Sequence, residues 1–168
     1  MPNKVRFLSI KVVGTLLFYL WCLPSFGQDA KQLKNNKETI VRYFDEVINQ
    51  QKLDRINDFF AQDFIWHQMN GKDSRGNNDT SHTATKRWLF NAIPDVHYTV
   101  DHITAEGDMV ALNTTVTGTA RAELFGLPAG LKKVRFRQMF FYKLNNNKIA
   151  EQWEVVDVDG LKAQLSQQ

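Results

Sequence analysis

The sequence has little cysteine and none of the common metal-binding motifs. Its single cysteine, Cys22, cannot form an internal disulfide bond, so a hydrophobic core must hold the fold together. The sequence contains no Cys-x-x-Cys pair, no His-Glu-x-x-His motif and no clustered acids, which leaves no recognisable metal site. No glycine-rich phosphate loop follows a predicted strand, which argues against nucleotide binding. We therefore expect neither a metal nor another cofactor.

The sequence also lacks an apolar run long enough to span a membrane. A basic start with Lys4, Arg6 and Lys11 precedes the apolar residues 12–23, and small residues follow at Ser25 and Gly27. A spanning helix needs roughly 20 apolar residues, whereas a signal peptide needs fewer. We expect residues 1–27 to be a secretory signal peptide; an uncleaved membrane anchor is the weaker alternative. The mature protein would then be exported, to the periplasm or the outside, without stable membrane insertion.

Little excess charge remains in residues 28–168. The predicted signal peptide carries three of the 21 lysines and arginines and none of the 18 acidic residues. The basic balance of the whole chain therefore gives no reason to expect a nucleic-acid partner. Residues 28–168 are long enough for one core, and we expect them to form a single domain.

Helical patterns come first in this domain and strand patterns later. Apolar residues recur at helical spacing over residues 31–51, a second short helix follows through residues 53–60, and a third must stop near Pro94. Thr80 or Ser81 can cap the third helix. A short strand is predicted over 63–68 and longer ones over 96–105, 109–120, 133–144 and 149–157. This order indicates an α+β fold in which helices cover one face of a curved antiparallel sheet and enclose a cavity.

Several short motifs mark the ends of the predicted elements. Pro94-Asp95 follows the third helix, Gly107-Asp108 forms a hairpin, and Gly118-Thr119 ends the next strand. The tail reads Lys-Ile-x-Glu-x-Trp-x-x-x-Asp and ends in Gln164-Leu165. In this order the motifs resemble those of the SnoaL-like polyketide cyclases, also called ester cyclases. The resemblance implies the cone-shaped fold shared with nuclear transport factor 2, the cystatin-like fold, over about residues 36–165.

The resemblance also implies a cofactor-free acid–base reaction on a small hydrophobic carbonyl or polyketide-like compound, of the cyclase or isomerase type. Asp157 matches the tail aspartate and would be the general base, with His67 as its proton partner. An apolar wall would raise the pKa of the base. Three tryptophans and a phenylalanine are expected to form the substrate-binding wall, namely Trp66, Trp88, Trp153 and Phe140. Relatives often carry histidine where this chain has Ala120, so the reaction itself stays open.

Other interpretations of the same residues remain open. Alternation along the last strand puts Glu151, Trp153 and Asp157 on one face and Gln152 and Glu154 on the other. If Trp153 faces the helices, Asp157 points the same way. Asp157 can equally cap the C-terminal helix, and His67 can be a hydrogen-bonded histidine without a chemical role. The domain can also be a non-catalytic ligand-binding or dimerisation domain, and we expect a homodimer formed through the sheet.

Overall fold

The computed structural model describes residues 25–76 and 82–166. The chain divides into two compact units, Met1–Gln32 and Leu33–Gln168. In the first unit, the described residues are helical. Most of the predicted signal peptide lies outside the described residues, and its cleavage after Gly27 stays a prediction. Among the described residues, no helix is both long enough and apolar enough to cross a membrane.

The helices bury the apolar stripes that their spacing predicts. Helix α1 spans Ser25–Tyr43 and continues as a π-helical turn, Phe44–Ile48, and a 3₁₀ helix follows at Leu53–Asp58. Helix α2 spans His82–Ala92 and α3 spans Val158–Ser166. The predicted caps Thr80 and Ser81 lie outside the described residues. The inward stripe of α1 and its π-helical turn is at most 1% exposed and comprises Ile40, Tyr43, Phe44, Val47 and Ile48.

The strands form one six-stranded sheet in the order β2-β1-β6-β5-β4-β3. Their bounds are β1 Phe60–His67, β2 Asp73–Arg75, β3 His97–Glu106, β4 Met109–Ala120, β5 Lys132–Asn145 and β6 Lys148–Val156. All neighbouring strands are antiparallel except β1 and β6, which pair in parallel. Register shifts interrupt the β3–β4, β5–β6 and β1–β6 pairs, and such bulges bend a sheet. The predicted α+β fold is confirmed, with the parallel pair as an addition.

The two faces of the sheet differ in chemistry. Strand β5 alternates strictly: its inner face, Val134, Phe136, Gln138, Phe140, Tyr142 and Leu144, is buried, while Met139 and Phe141 on its outer face are each 52% exposed. The helices cover the inner face, where the ring of Phe44 lies 5.3 Å from that of Phe140. Burying one such aromatic side chain stabilises a fold by roughly 1.5–3 kcal/mol.

Two of the sequence motifs meet in space and have a structural role. The carboxylate of Asp95 accepts a hydrogen bond from the Thr119 backbone N–H at 2.6 Å and another from the Thr119 hydroxyl at 2.8 Å. These two bonds lower the pKa of Asp95. An added Cβ at Gly118 would collide with the Ile93 side chain, so only glycine lets β4 approach the end of α2 this closely. The two motifs thus hold the C-terminal end of α2 against strand β4.

Candidate functional site

A cavity of about 210 Å³ lies between the inner face of the sheet and helices α2 and α3. Its wall is mostly apolar, with a polar group at one side formed by Lys86, Tyr98, Gln138 and Glu154. The remaining lining residues are Trp66, Thr85, Trp88, Leu89, Ile93, Leu124, Phe125, Phe136, Val156 and Leu161. Ligand pockets typically combine such an apolar wall with a few placed polar groups.

Strand β6 places Glu154 in this cavity. The register pairs Glu154 with Phe140, so both side chains point to the inner face. Oxygen Oε2 of Glu154 accepts hydrogen bonds from Gln138 Nε2 at 3.0 Å and from Gln152 Nε2 at 2.9 Å. Within residues 25–76 and 82–166, Oε1 accepts no hydrogen bond from a protein group. Glu154 thus has one oxygen fixed by amides and one available to a ligand.

Helix α2 contributes Lys86 from the opposite side. The Lys86 Nζ lies 4.0 Å from Glu154 Oε2 and 5.9 Å from the centroid of the Phe140 ring. Its side chain is only 6% exposed. Burial lowers the pKa of Lys86, and the Glu154 carboxylate opposes part of that shift. A buried ammonium is costly unless it is paired, so this lysine is unusual on a helix stripe that faces a core.

A short hydrogen-bonded chain extends the polar group toward β3. Tyr98 donates its hydroxyl to Gln138 Oε1 at 3.0 Å, and Gln138 in turn donates to Glu154. Burial raises the pKa of Tyr98, so the phenol stays protonated and remains a donor. The chain holds the Gln138 amide in one orientation and thereby fixes the position of the carboxylate.

Behind this group lies a fully buried histidine. His82, one turn before Lys86 on α2, is 0% exposed, and its ring lies 5.0 Å from that of Phe60 and 5.8 Å from that of Trp66. Neither ring nitrogen has a hydrogen-bond partner among the described residues. Burial lowers the pKa of His82 well below its usual range, and the Lys86 charge lowers it further. His82 is therefore a neutral ring.

Two aromatic side chains mark the rim of the cavity. Trp88 and Phe125 are each 42% exposed, and their rings meet edge to face with centroids 5.7 Å apart. Phe125 sits in the loop between β4 and β5 with a positive φ of 51°, next to Gly126 at 81°. Exposed aromatic rings beside an apolar cavity offer a surface on which an apolar ligand can be held during entry.

The structure brings only some of the predicted site residues together. Trp66 and Trp88 line the cavity as expected. Phe140 is buried beneath Lys86 and supports the cavity from below. Trp153 pairs with Phe141 across β5 and β6 and so lies on the outer face. The expected placement of Trp153 in the cavity wall is therefore wrong.

The two predicted catalytic residues lie away from the cavity. Asp157 is exposed and caps α3, where its carboxylate accepts a hydrogen bond from the Gly160 N–H at 2.9 Å. The capping interpretation of this residue thus matches its geometry. His67 lies on the outer face and stacks on Trp153, with ring centroids 4.3 Å apart and an angle of 10° between the planes.

His67 instead belongs to an ionic cluster on the outer face. Its Nδ1 lies 2.9 Å from Asp73 Oδ1, and its Nε2 lies 2.8 Å from Glu151 Oε2. Glu151 also accepts a hydrogen bond from Lys143 at 3.0 Å. The bonds from His67 and Lys143 lower the pKa of Glu151. This cluster ties β2, β1, β6 and β5 together, which is a structural role.

Within residues 25–76 and 82–166, no three His, Cys, Asp or Glu side chains are grouped so that they could hold a metal ion. A wider surface cleft of about 390 Å³ is lined largely by polar side chains of α1 and the β5–β6 turn, among them Asn35, Glu38, Arg42 and Asn147. Among its described lining residues only Phe59 is apolar, so the cleft offers a ligand less apolar side-chain surface than the cavity does. The cavity that contains Glu154 is therefore the candidate site.

Glu154, Lys86 and Gln138 were not predicted as site residues, although the sequence carries a signal for buried polar residues. The alternate residues of β5 from Val134 to Leu144 are apolar except Gln138, which marks a polar residue aimed at a core. Lys86 falls on the same helical stripe as Leu89, Phe90 and Ile93. Polar residues that interrupt an apolar stripe on two different elements are the pattern that predicts a buried polar site.

Comparisons with known proteins agree with this architecture. The family model described as SnoaL-like polyketide cyclase matches residues 38–165. A candidate SnoaL-like polyketide cyclase from Jannaschia sp. CCS1 is 22% identical and has a TM-score of 0.72, covering 81% of this chain and 94% of its own.

Two further solved structures are similar. AclR from Streptomyces galilaeus, a candidate hydroxylase, is 22% identical with a TM-score of 0.71, over 79% of this chain and 82% of its own. A SnoaL-like polyketide cyclase from Agrobacterium tumefaciens str. C58 is 20% identical with a TM-score of 0.67, over 78% of this chain and 98% of its own. At these identities the likeness shows the fold. No curated protein matches the sequence.

Proposed function

Since this chain belongs to the SnoaL-like polyketide cyclase family, we propose that it binds a small apolar carbonyl compound in the cavity and that Glu154 acts on it as a general base. One observation carries this proposal. In the part of the chain that the structure describes, one oxygen of the Glu154 carboxylate has no protein donor, and the Lys86 ammonium lies 4.0 Å from the other, at one side of a mostly apolar cavity. That arrangement offers a proton acceptor and a positive charge to the same bound molecule.

The roles of the residues follow from their positions. Oxygen Oε1 of Glu154 takes a proton from the carbon next to the carbonyl group. The Lys86 ammonium stabilises the negative charge that develops on the carbonyl oxygen, because opposite charges attract strongly where water is excluded. Gln138 and Gln152 hold the carboxylate in place through Oε2. The proposal therefore assigns the role of general base to Glu154, three residues before Asp157, for which the sequence predicted it.

The size of the cavity limits the substrate. Pockets for drug-sized ligands usually measure roughly 300–1,000 Å³, whereas this cavity measures about 210 Å³. A compound with one or two rings, or a short chain, fits such a volume. The proposal therefore favours a small ketone, aldehyde or diketone over a large polycyclic substrate.

Proton exchange tests the base role directly. The α-protons of 2-tetralone, a two-ring apolar ketone, would be followed by ¹H NMR in D₂O with the wild-type protein and with Glu154→Gln. We expect the wild-type protein to accelerate the exchange and the variant to lose about 10²- to 10⁴-fold of that rate, the usual contribution of a general base. Glu151→Gln is the matched control, since Glu151 lies on the outer face of the same strand.

A second function uses the same cavity without chemistry. The Glu154 carboxylate is already held by two amides and an ammonium, which also suits a rigid hydrogen-bond acceptor in a ligand-binding domain. Quenching of Trp66 and Trp88 fluorescence by 2-tetralone would report binding. Binding without proton exchange would favour the ligand-binding function, and exchange lost only in Glu154→Gln would favour the enzyme.

We also propose that the domain is exported after cleavage at Gly27 and that it forms a homodimer. Export rests on the signal-peptide pattern of residues 1–27. The dimer rests on the outer face, where Met139, Phe141 and Val155 are each 52% exposed. Adjacent exposed apolar side chains on one sheet face are typical of an association surface. Mass spectrometry of the protein secreted by a bacterial host would give the first residue, expected to be Gln28.

A further inference from the structure

The buried position of Lys86 and its few close contacts affect its chemistry as well as its charge. Its side chain lines the cavity and is 6% exposed, and a lysine almost never lies this deep in a core unless it is paired. An ammonium has three N–H donors. The Lys86 Nζ lies 4.0 Å from the Glu154 carboxylate and 5.9 Å from the centroid of the Phe140 ring. A distance of 4.0 Å exceeds that of a normal hydrogen bond. The carboxylate therefore forms an ion pair with the Lys86 ammonium but accepts no hydrogen bond from it.

This environment makes the Lys86 ammonium easier to deprotonate. Burial lowers the pKa of Lys86 even though the negative charge of Glu154 acts in the opposite direction. His82, one turn earlier on α2, is a neutral ring and brings no negative charge that would stabilise the ammonium. A larger share of Lys86 is therefore present as a free amine near neutral pH than for any ordinary surface lysine. A free amine in an apolar pocket is a nucleophile toward carbonyl carbon.

We propose that Lys86 captures small aldehydes and ketones covalently in the cavity as a protonated imine, with Glu154 as the proton carrier. The inference rests on the proposed function, because it requires that carbonyl compounds enter this cavity. It adds a covalent intermediate and a nucleophile to a site that otherwise acts through charge and proton transfer alone.

The step balances with groups already present. Lys86 gives one proton to Glu154, and the nitrogen lone pair forms a bond to the carbonyl carbon while the carbonyl π electrons move to oxygen. The oxygen then takes one proton from the nitrogen and a second proton from Glu154. It leaves as water when the nitrogen lone pair forms the C=N bond. An ammonium and a carbonyl compound thus give a protonated imine and water, with no oxidant or reductant. The imine draws electrons from the neighbouring carbon, where Glu154 can then remove a proton.

Reductive trapping locates the imine. The probe is 3-phenylpropanal, a small apolar aldehyde, added at neutral pH together with cyanoborohydride, which reduces imines to stable amines. Peptide mass spectrometry then compares the modification of Lys86 with that of the exposed lysines Lys34 and Lys162 in the same wild-type sample. We expect Lys86 to be modified at least tenfold faster than either, although it is buried.

Two controls separate this inference from the proposed function. Quenching of tryptophan fluorescence by the aldehyde, measured without reductant, reports entry into the cavity. Quenching together with an unmodified Lys86 would overturn the covalent step and leave the proposed function standing; no quenching and no modification at Lys86 would overturn both. Lys86→Met should abolish the rapid modification, whereas Lys162→Met should retain it, and because the site is mapped in the wild-type protein, the test does not depend on the variants folding.

Discussion

Glu154 and Trp153 are neighbours in sequence whose side chains leave opposite faces of strand β6. Glu154 is paired with Phe140 on the inner face, where it accepts hydrogen bonds from Gln138 and Gln152. Trp153 is paired with Phe141 on the outer face and stacks on His67. One position along the strand therefore separates a residue of the cavity from a residue of the outer surface.

Filling the cavity should abolish ligand binding. Val156 lines the cavity, whereas Val155 lies on the outer face and is 52% exposed. Val156→Phe places a ring in the space that a ligand would occupy, so we expect at least a tenfold loss of 2-tetralone affinity in a fluorescence titration. Val155→Phe adds the same volume outside and should bind as the wild-type protein does. Equal affinity in both variants would locate the ligand elsewhere.

Removing the cap of α3 should lower stability without affecting the site. Asp157→Ala deletes the acceptor of the Gly160 N–H, and the loss of such a cap costs about 1 kcal/mol of the free energy of unfolding. Urea unfolding measures the change. Asp157→Asn keeps an acceptor oxygen and should lose less. If the Asp157→Ala variant remained folded but no longer catalysed proton exchange in 2-tetralone, the result would support Asp157 as the general base, as predicted from the sequence.

The buried histidine should make stability depend on pH. Because burial lowers the pKa of His82, the folded protein keeps this ring neutral while the unfolded chain protonates it below about pH 6.5. The unfolded state then binds more protons, so the free energy of unfolding falls as the pH falls from about 6.5 toward the folded-state pKa. The contribution of one group is at most about 1.4 kcal/mol for each pH unit.

His82→Phe isolates this contribution. Phenylalanine suits the surrounding rings of Phe60, Phe64 and Trp66, and it cannot take up a proton. Urea unfolding at pH 7.5 and pH 5.0 should show a smaller loss of stability in the variant than in the wild-type protein. His97→Phe changes an exposed histidine and should retain the wild-type loss. An unchanged loss in His82→Phe would mean that other groups set the pH dependence.

A charge on the outer face should separate the proposed dimer. Phe141 is 52% exposed and lies beside Trp153 on the neighbouring strand. Phe141→Lys would bury a charge in an apolar interface, which is strongly unfavourable. Sedimentation velocity should therefore show a monomer for this variant and a dimer for the wild-type protein. Asn145→Lys adds the same charge at the exposed end of β5 and should remain dimeric; a wild-type monomer would contradict the proposal.

The sequence predicts the fold far better than the site. Apolar spacing predicts the first three helical segments and locates the four long strands to within about one residue, because each buries a stripe with its own period. The parallel pairing of β1 with β6 and the hairpin strand β2 could not be predicted, since they depend on contacts between distant parts of the chain. Strand β2 has only three residues and no apolar alternation.

The site predicted from the sequence and the candidate site in the cavity differ because of the orientation of a single strand. A tryptophan is expected to face a core, which would place Asp157 beside it in the cavity. The partner that covers Trp153 is instead His67 from β1, on the outer face. No local pattern in β6 predicts that stacking, because it arises from the parallel register that aligns His67 with Trp153. The pattern in β5, with Gln138 among inward apolar residues, is the local signal that favours the correct face.

The position of β6 inside the sheet also determines when the sheet can be completed. Strands β1 and β2 reach the rest of the sheet only through β6, which lies close to the C-terminus. While a ribosome is still adding residues before Lys148, residues 60–75 have no edge to join, although β3, β4 and most of β5 can already pair. Such long-range pairing is also slow to form. The sheet therefore cannot be completed until β6 has been made, and a chain that ended before Lys148 would lose its N-terminal strands from the sheet together with Glu154.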